Sequence, residues 1–261
     1  SGFYPHPDLV ANKNRIKKMI DITNPKNGEK YFSEPHNQSW HGTMTSVVCA
    51  GDGYLSGGLY KGIASDAELV LIKVQDENGA ITGENISKAL DWVKNNHKEY
   101  GIKIVNLSIS DDYAESYKTN SVSIKSEELI KEGLLLVAAV GNDDLAEILP
   151  PASSPNVIAV GGVNDYNKLD GNVDPYHSSF GLTIDHIYKP ELITNSIWIP
   201  APILPKTFEH KKAELLFQLL HAKENFQILL NENYKKLGWS NFICFLSESS
   251  AKDEIKKEIW K

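Results

Sequence analysis

Four short apolar runs punctuate the first two thirds of the chain: residues 68–75 (ELVLIKVQ), 102–109 (IKIVNLSI), 134–140 (LLLVAAV) and 157–160 (VIAV). Runs of this length and composition suit strands buried on both faces. Between the first two, residues 83–100 carry Ile86, Leu90 and Val93 on one helical face, and a weaker helical pattern ends at Gly133. Strand, helix, strand, helix, strand predicts an α/β fold, a mainly parallel sheet with helices on both faces. Sites in such sheets gather at the carboxyl ends of strands, which singles out the loops after Ile109 and Val140. The pattern changes at residues 197–205 (IWIPAPILP), whose three prolines predict an extended connector. Beyond it, Leu216, Leu219, Leu220, Phe226, Leu230, Tyr234 and Leu237 form an apolar stripe on one or two helices. The expected organisation is a core over residues 1–205 and a helical insertion or subdomain over 206–261.

Composition narrows the function classes. Of 261 residues, 41% are hydrophobic and 23% charged, as in an ordinary globular chain. No apolar run approaches the roughly 20 residues of a membrane-spanning helix, so no membrane span is expected. The net charge of -7 is spread along the chain without a basic stripe, which argues against a nucleic-acid partner. Cys49 and Cys244 allow at most one bridge and belong to no metal-ligand cluster, so neither a disulfide framework nor a metal site is expected. The first residue is Ser1, not Met, and residues 250–261 read as a helix running out to Trp260 and Lys261. Both ends therefore read as cut.

Candidate chemistry begins with one histidine, His41, at the start of a predicted helix in Trp40-His41-Gly42-Thr43. Further along stand Gly62-Ile63-Ala64-Ser65-Asp66-Ala67-Glu68-Leu69, Val105-Asn106-Leu107-Ser108, Ala138-Ala139-Val140-Gly141-Asn142 and a run from Pro151 to Gly161 (PASSPNVIAVG). In order and spacing these five motifs resemble those of the subtilisin-like serine proteases, over Ser1 to about Ile199. The resemblance implies that His41 is the general base and that the side-chain amide of Asn142 donates to the oxyanion. It also implies that Ser108, Ile109 and Ser110 form an edge to which a peptide substrate adds as a strand, with Asp111 next to the specificity pocket. Relatives carry glycine near that point, and Asp111 or Asp112 pointing into the pocket would favour a basic substrate residue.

Other parts of the family pattern differ. The aspartate of the family's D-[ST]-G motif would stand immediately before Ser1, and the nucleophile's G-T-S-x-A motif, expected after Lys189-Pro190-Glu191-Leu192, occurs nowhere in the sequence. Ser240, Ser247, Ser249 and Ser250 lack its Gly-Thr context. Residues 208–261 are therefore expected to be an insertion ahead of the nucleophile segment. Asp8 matches a position that binds calcium in some relatives, but the 52–61 loop shows no clear ligand pattern. Gly53, Gly57 and Gly58 are followed by no Gly-Lys-Ser/Thr and read as a surface loop. The expected function is a serine endopeptidase working through an acyl-enzyme, with a peptide or protein as substrate and no cofactor. A non-catalytic domain binding peptides or proteins through the same edge, or through the Leu-rich helices, is the alternative.

Overall fold

The computed structural model describes residues 1–259, and the chain forms two compact units, Ser1–Pro202 and Ile203–Lys261. In the first, α1 (Pro7–Val10) leads into β1 (Ile16–Asp21), α2 (Trp40–Ala50), β2 (Leu69–Lys73), α3 (Gly83–Tyr100), β3 (Ile104–Leu107), α4 (Ser121–Lys131), β4 (Leu135–Ala139) and β5 (Ile158–Asn164). Short strands β6 (Asp174–Pro175), β7 (Gly181–Leu182), β8 (Tyr188–Lys189) and β9 (Leu192–Asn195) follow. The four apolar runs all become strands.

Strands β3, β4, β5 and β9 are parallel neighbours in that order, while β7 and β8 make an antiparallel hairpin. Helix α3 forms where the periodicity places it. The Thr82 hydroxyl accepts from the Asn85 N–H at 3.3 Å to open it, and Gly101, at φ +64°, closes it in a left-handed conformation that glycine adopts without strain. Its Ile86, Leu90 and Val93 are buried with Val122 and Leu129 of α4 and with Leu107, Leu136 and Ala138 of the sheet. Each such fully buried side chain stabilises the fold by about 1.5–3 kcal/mol.

Two features depart from the sequence pattern. Strand β1 (IKKMID) has lysines at its second and third positions, so its apolar run is broken. It forms by parallel pairing with β2, Met19 opposite Leu71, while Ile16 and Met19 pack against Phe3, Phe32 and Leu71. The strands also fall into three hydrogen-bonded groups instead of one: β1 with β2, β3 to β6 with β9, and β7 with β8. Helix α3 joins β2 to β3, yet these two strands do not pair, and an apolar slot of about 580 Å³ lies between them.

After Trp198, which has φ +63°, residues 199–204 run without regular structure. The second unit contains α5 (Phe208–His221), α6 (Phe226–Asn233) and α7 (Glu248–Ile259). Thr207 caps α5, its hydroxyl accepting from the His210 N–H at 3.2 Å. Leu216, Leu219, Phe226, Leu230 and Leu237 from the stripe are buried, joined by Ile243, Ala251 and Ile255. This unit thus has an apolar core of its own. No helix among the described residues is long and apolar enough to cross a membrane. The reading of Trp260 and Lys261 as a helix end lies outside the described residues.

Candidate functional site

His41 lies in the first turn of α2, and the start of the chain is laid across that turn. Gly2 N–H donates to the Gln38 carbonyl at 3.0 Å; the Thr43 hydroxyl accepts from Tyr4 N–H at 2.9 Å and donates to the Ser39 carbonyl at 2.7 Å. These bonds bring Ser1 Oγ to 2.6 Å from His41 Nδ1. With the ring proton on Nδ1, Nε2 keeps a free lone pair, the form a general base requires. Burial lowers the His41 pKa from its ordinary value. Burial thus favours the neutral imidazole.

Gly42 is the residue that permits this close approach. A Cβ there would stand 2.2 Å from the Gly2 carbonyl oxygen and 2.8 Å from the Phe3 ring, and the first of these is backbone that cannot swing aside. Gly42→Ala is expected to cost about 1–3 kcal/mol by overpacking and to push Ser1 away from His41. A urea melt measures the first effect, and a rise in the His41 pKa followed by NMR titration, as the ring becomes better hydrated, measures the second.

The edge segment leaves the end of β3. Asn106 donates its amide to Ser108 Oγ at 3.0 Å; Ser108 and Ile109 are half-buried, and Ser110 is exposed. Asp111 turns the other way. Its side chain is buried, accepting from Asn120 Nδ2 at 2.8 Å and from Asp112 N–H at 2.8 Å, while its own N–H donates to the Pro150 carbonyl at 2.8 Å. The carboxylate lies so close over Gly83, at the start of α3, that a Cβ there would meet Oδ1 at 2.2 Å. Asp111 thus faces the start of α3 and the Asn120 cap of α4. Asp112 is exposed. The loop between Asp112 and Asn120 is held from outside by Asp185, which accepts from Ser116 Oγ at 2.7 Å and Tyr117 N–H at 2.8 Å.

Asn142 stands on a turn just past β4, with its amide exposed. Gly141 makes the turn at φ +122°, a conformation that a residue with a side chain adopts only under strain. A crevice of about 620 Å³ opens beside it, lined by Asn106, Ser108, Gly141, Asn142, Gly161 and Ser178 among others. Asn106 and Ser108 also line the slot that contains His41, so the end of β3 borders both openings. The pattern reading did not find Ser178 and Ser179. Ser178 Oγ accepts from Gly162 N–H at 3.0 Å, and Ser179 grips the Asn142 turn; the serine pair in Tyr176-His177-Ser178-Ser179 is their only trace in the sequence.

Asp8, singled out by the resemblance, is buried, and its Oδ1 accepts from Leu55 N–H at 2.9 Å, which fixes the loop of Gly53, Gly57 and Gly58. Among the described residues, no three His, Cys, Asp or Glu side chains converge as metal ligands.

The parallel strands β3, β4, β5 and β9 with their flanking helices, bordered at the end of β3 by the openings that hold His41 and Asn142, make the first unit an α/β domain. The profile described as "Subtilase family" matches residues 1–209, and the chain belongs to that family. Among curated relatives, it is 28% identical over 220 residues to the serine protease AprX of Bacillus subtilis, covering 81% of this chain and 48% of AprX. It is 32% identical over 171 residues to subtilisin-like protease 2 of Trichophyton verrucosum, covering 64% of this chain and 36% of that protein. The chain thus spans half or less of these relatives. Among solved structures, Sphericase superposes with a TM-score of 0.60 at 22% identity, over 98% of this chain and 79% of that one. The S41 psychrophilic protease superposes at 0.57 and 22% identity, over 74% and 63%. These two likenesses establish the fold.

Proposed function

We propose that this chain carries the base and the oxyanion donor of a serine endopeptidase that hydrolyses peptide bonds through an acyl-enzyme. The observation that carries the reading is the shared border: His41 and Asn142 line openings that meet at Asn106 and Ser108, beside the edge at Ser108, Ile109 and Ser110. A substrate strand added along that edge would carry its scissile carbonyl past both groups. The attacking serine belongs to the family motif that these 261 residues lack. In the reaction, its hydroxyl oxygen bonds to the carbonyl carbon as its proton passes to His41 Nε2. Asn142 Nδ2 then donates to the oxyanion, and His41 returns the proton to the departing amine. Water repeats the sequence on the acyl-enzyme.

Asn142 supplies the test. An oxyanion donor acts where negative charge develops, so its loss falls on the rate and not on substrate binding. In the full-length protein, Asn142→Ala is expected to lower kcat by about 10²–10³-fold with KM nearly unchanged; that magnitude is the one known for the corresponding asparagine of subtilisin, not one obtained from this structure. Steady-state kinetics on a chromogenic peptide checks it, and a change in KM alone would sink the assignment.

A further inference from the structure

We infer that Ser179 is the positioning residue of the Asn142 amide, an inference that rests on reading Asn142 as the oxyanion donor. Ser179 N–H donates to the Gly141 carbonyl at 3.2 Å, and Ser179 Oγ donates to the Asp143 carbonyl at 2.6 Å. One buried residue therefore grips the main chain immediately before and immediately after Asn142. The fit is mutual. A Cβ on Gly141 would lie 2.5 Å from Ser179 Oγ, so the glycine that makes the turn also makes room for the hydroxyl.

Ser179 is itself anchored. Tyr176 N–H donates to the Gly162 carbonyl at 3.3 Å, and Ser178 Oγ accepts from Gly162 N–H at 3.0 Å, which docks this segment on β5. Support thus runs from β5 through Ser178 and Ser179 to both sides of Asn142. Outside the turn is the 620 Å³ crevice, so an ungripped turn has space to move into. An oxyanion donor works only about 2.7–3.1 Å from the position the oxyanion will occupy, and a displacement near 1 Å can cost about 10²-fold in rate. The Ser179 hydroxyl fixes the amide within that narrow window.

A double-mutant cycle in the full-length protein tests this, because two residues acting as one unit are not additive. The four species are the parent, Ser179→Ala, Asn142→Ala and the double variant, assayed for kcat and KM on one chromogenic peptide. Ser179→Ala is expected to lower kcat about 10-fold or more with KM within about twofold, and to lower it less than about twofold when Asn142 is already alanine. Equal loss in both backgrounds, or loss of thermal stability without loss of kcat, would mean that Ser179 merely supports the fold, and overturns the inference. If Asn142→Ala lowers kcat and Ser179→Ala does not, only the positioning role fails. If Asn142→Ala leaves kcat intact, the oxyanion reading fails and takes the positioning role with it. Should Ser179→Ala not fold, Ser179→Cys, close in size but a weaker donor, is judged by the same criteria.

Discussion

Replacing His41 by alanine in the full-length protein is expected to lower kcat/KM for a chromogenic peptide by about 10⁴-fold or more while leaving the fold in place. A serine hydroxyl attacks slowly without a base to accept its proton, and general-base catalysis is worth up to about 10⁴-fold by itself. Losses of that order or larger accompany removal of the base from subtilisin, so the scale is the family's own and is not read from this structure. The fold should survive because the contacts that shape the start of α2 belong to Thr43, Gly42 and Ser39, not to the imidazole. Far-UV circular dichroism that matches the parent, beside a rate reduced by four orders, is the expected pair of results. The pH profile offers an independent check. In the full-length protein, the acidic limb of kcat/KM should report the protonation of His41, and His41→Ala should remove that limb from the residual activity. A limb that persists unchanged in His41→Ala would mean that a different group is the base.

How far the site could be read from the sequence depended on how each residue acts. The roles proposed for His41 and Asn142 belong to their own side chains inside motifs with fixed neighbours, so order along the chain is enough to nominate them. Helix α3 was legible to its last residue, since a threonine cap, three apolar positions on one face and a terminal glycine all agree. Strand β1 was not, because its stability comes from main-chain pairing with β2 and two lysines interrupt its apolar run. Asp111 and Asp112 look alike in sequence. What separates them is Asn120, nine residues on, and the bare Gly83 backbone, which together make a pocket for one carboxylate and none for the other. Ser179 is the extreme case, for its partners are two carbonyl groups, which every residue possesses. Beyond the serine pair itself, the glycine at 141 hints that something must fit against the turn.

The largest stability effect is expected at a buried ion pair that no motif marks. Asp21 and Lys73 end the paired strands β1 and β2, directly opposite each other, with Lys73 Nζ 3.1 Å from Asp21 Oδ2 and both side chains almost wholly buried. Neither charge is left short of partners. The carboxylate also accepts from Thr23 N–H at 2.9 Å, Thr23 Oγ1 at 2.6 Å, Asn24 N–H at 3.1 Å and Asn27 Nδ2 at 2.9 Å, and the ammonium donates to the Gln75 carbonyl as well. Asp21→Ala would strand the Lys73 ammonium in the interior, at an expected cost of about 3–5 kcal/mol in a urea melt at pH 7. Replacing both residues, as Asp21→Leu with Lys73→Met, should cost clearly less than that single change, because no uncompensated charge remains. A double variant as unstable as Asp21→Ala would show that shape, not charge, governs the site. Burial acts to raise the Asp21 pKa, but the hydrogen bonds from Thr23, Asn27 and Lys73, together with the Lys73 charge, outweigh it and hold the carboxyl below its ordinary value. A group depressed in this way lends stability that is fully present above the unfolded carboxylate pKa of about 3.9 and is lost as the pH falls through the lower folded value. The parent should therefore lose stability steeply below about pH 4, and the double variant less steeply, since it has no carboxylate there to protonate. Matched urea melts at pH 7 and pH 3 measure that difference, and equal losses in the two proteins would place the acid-sensitive group elsewhere.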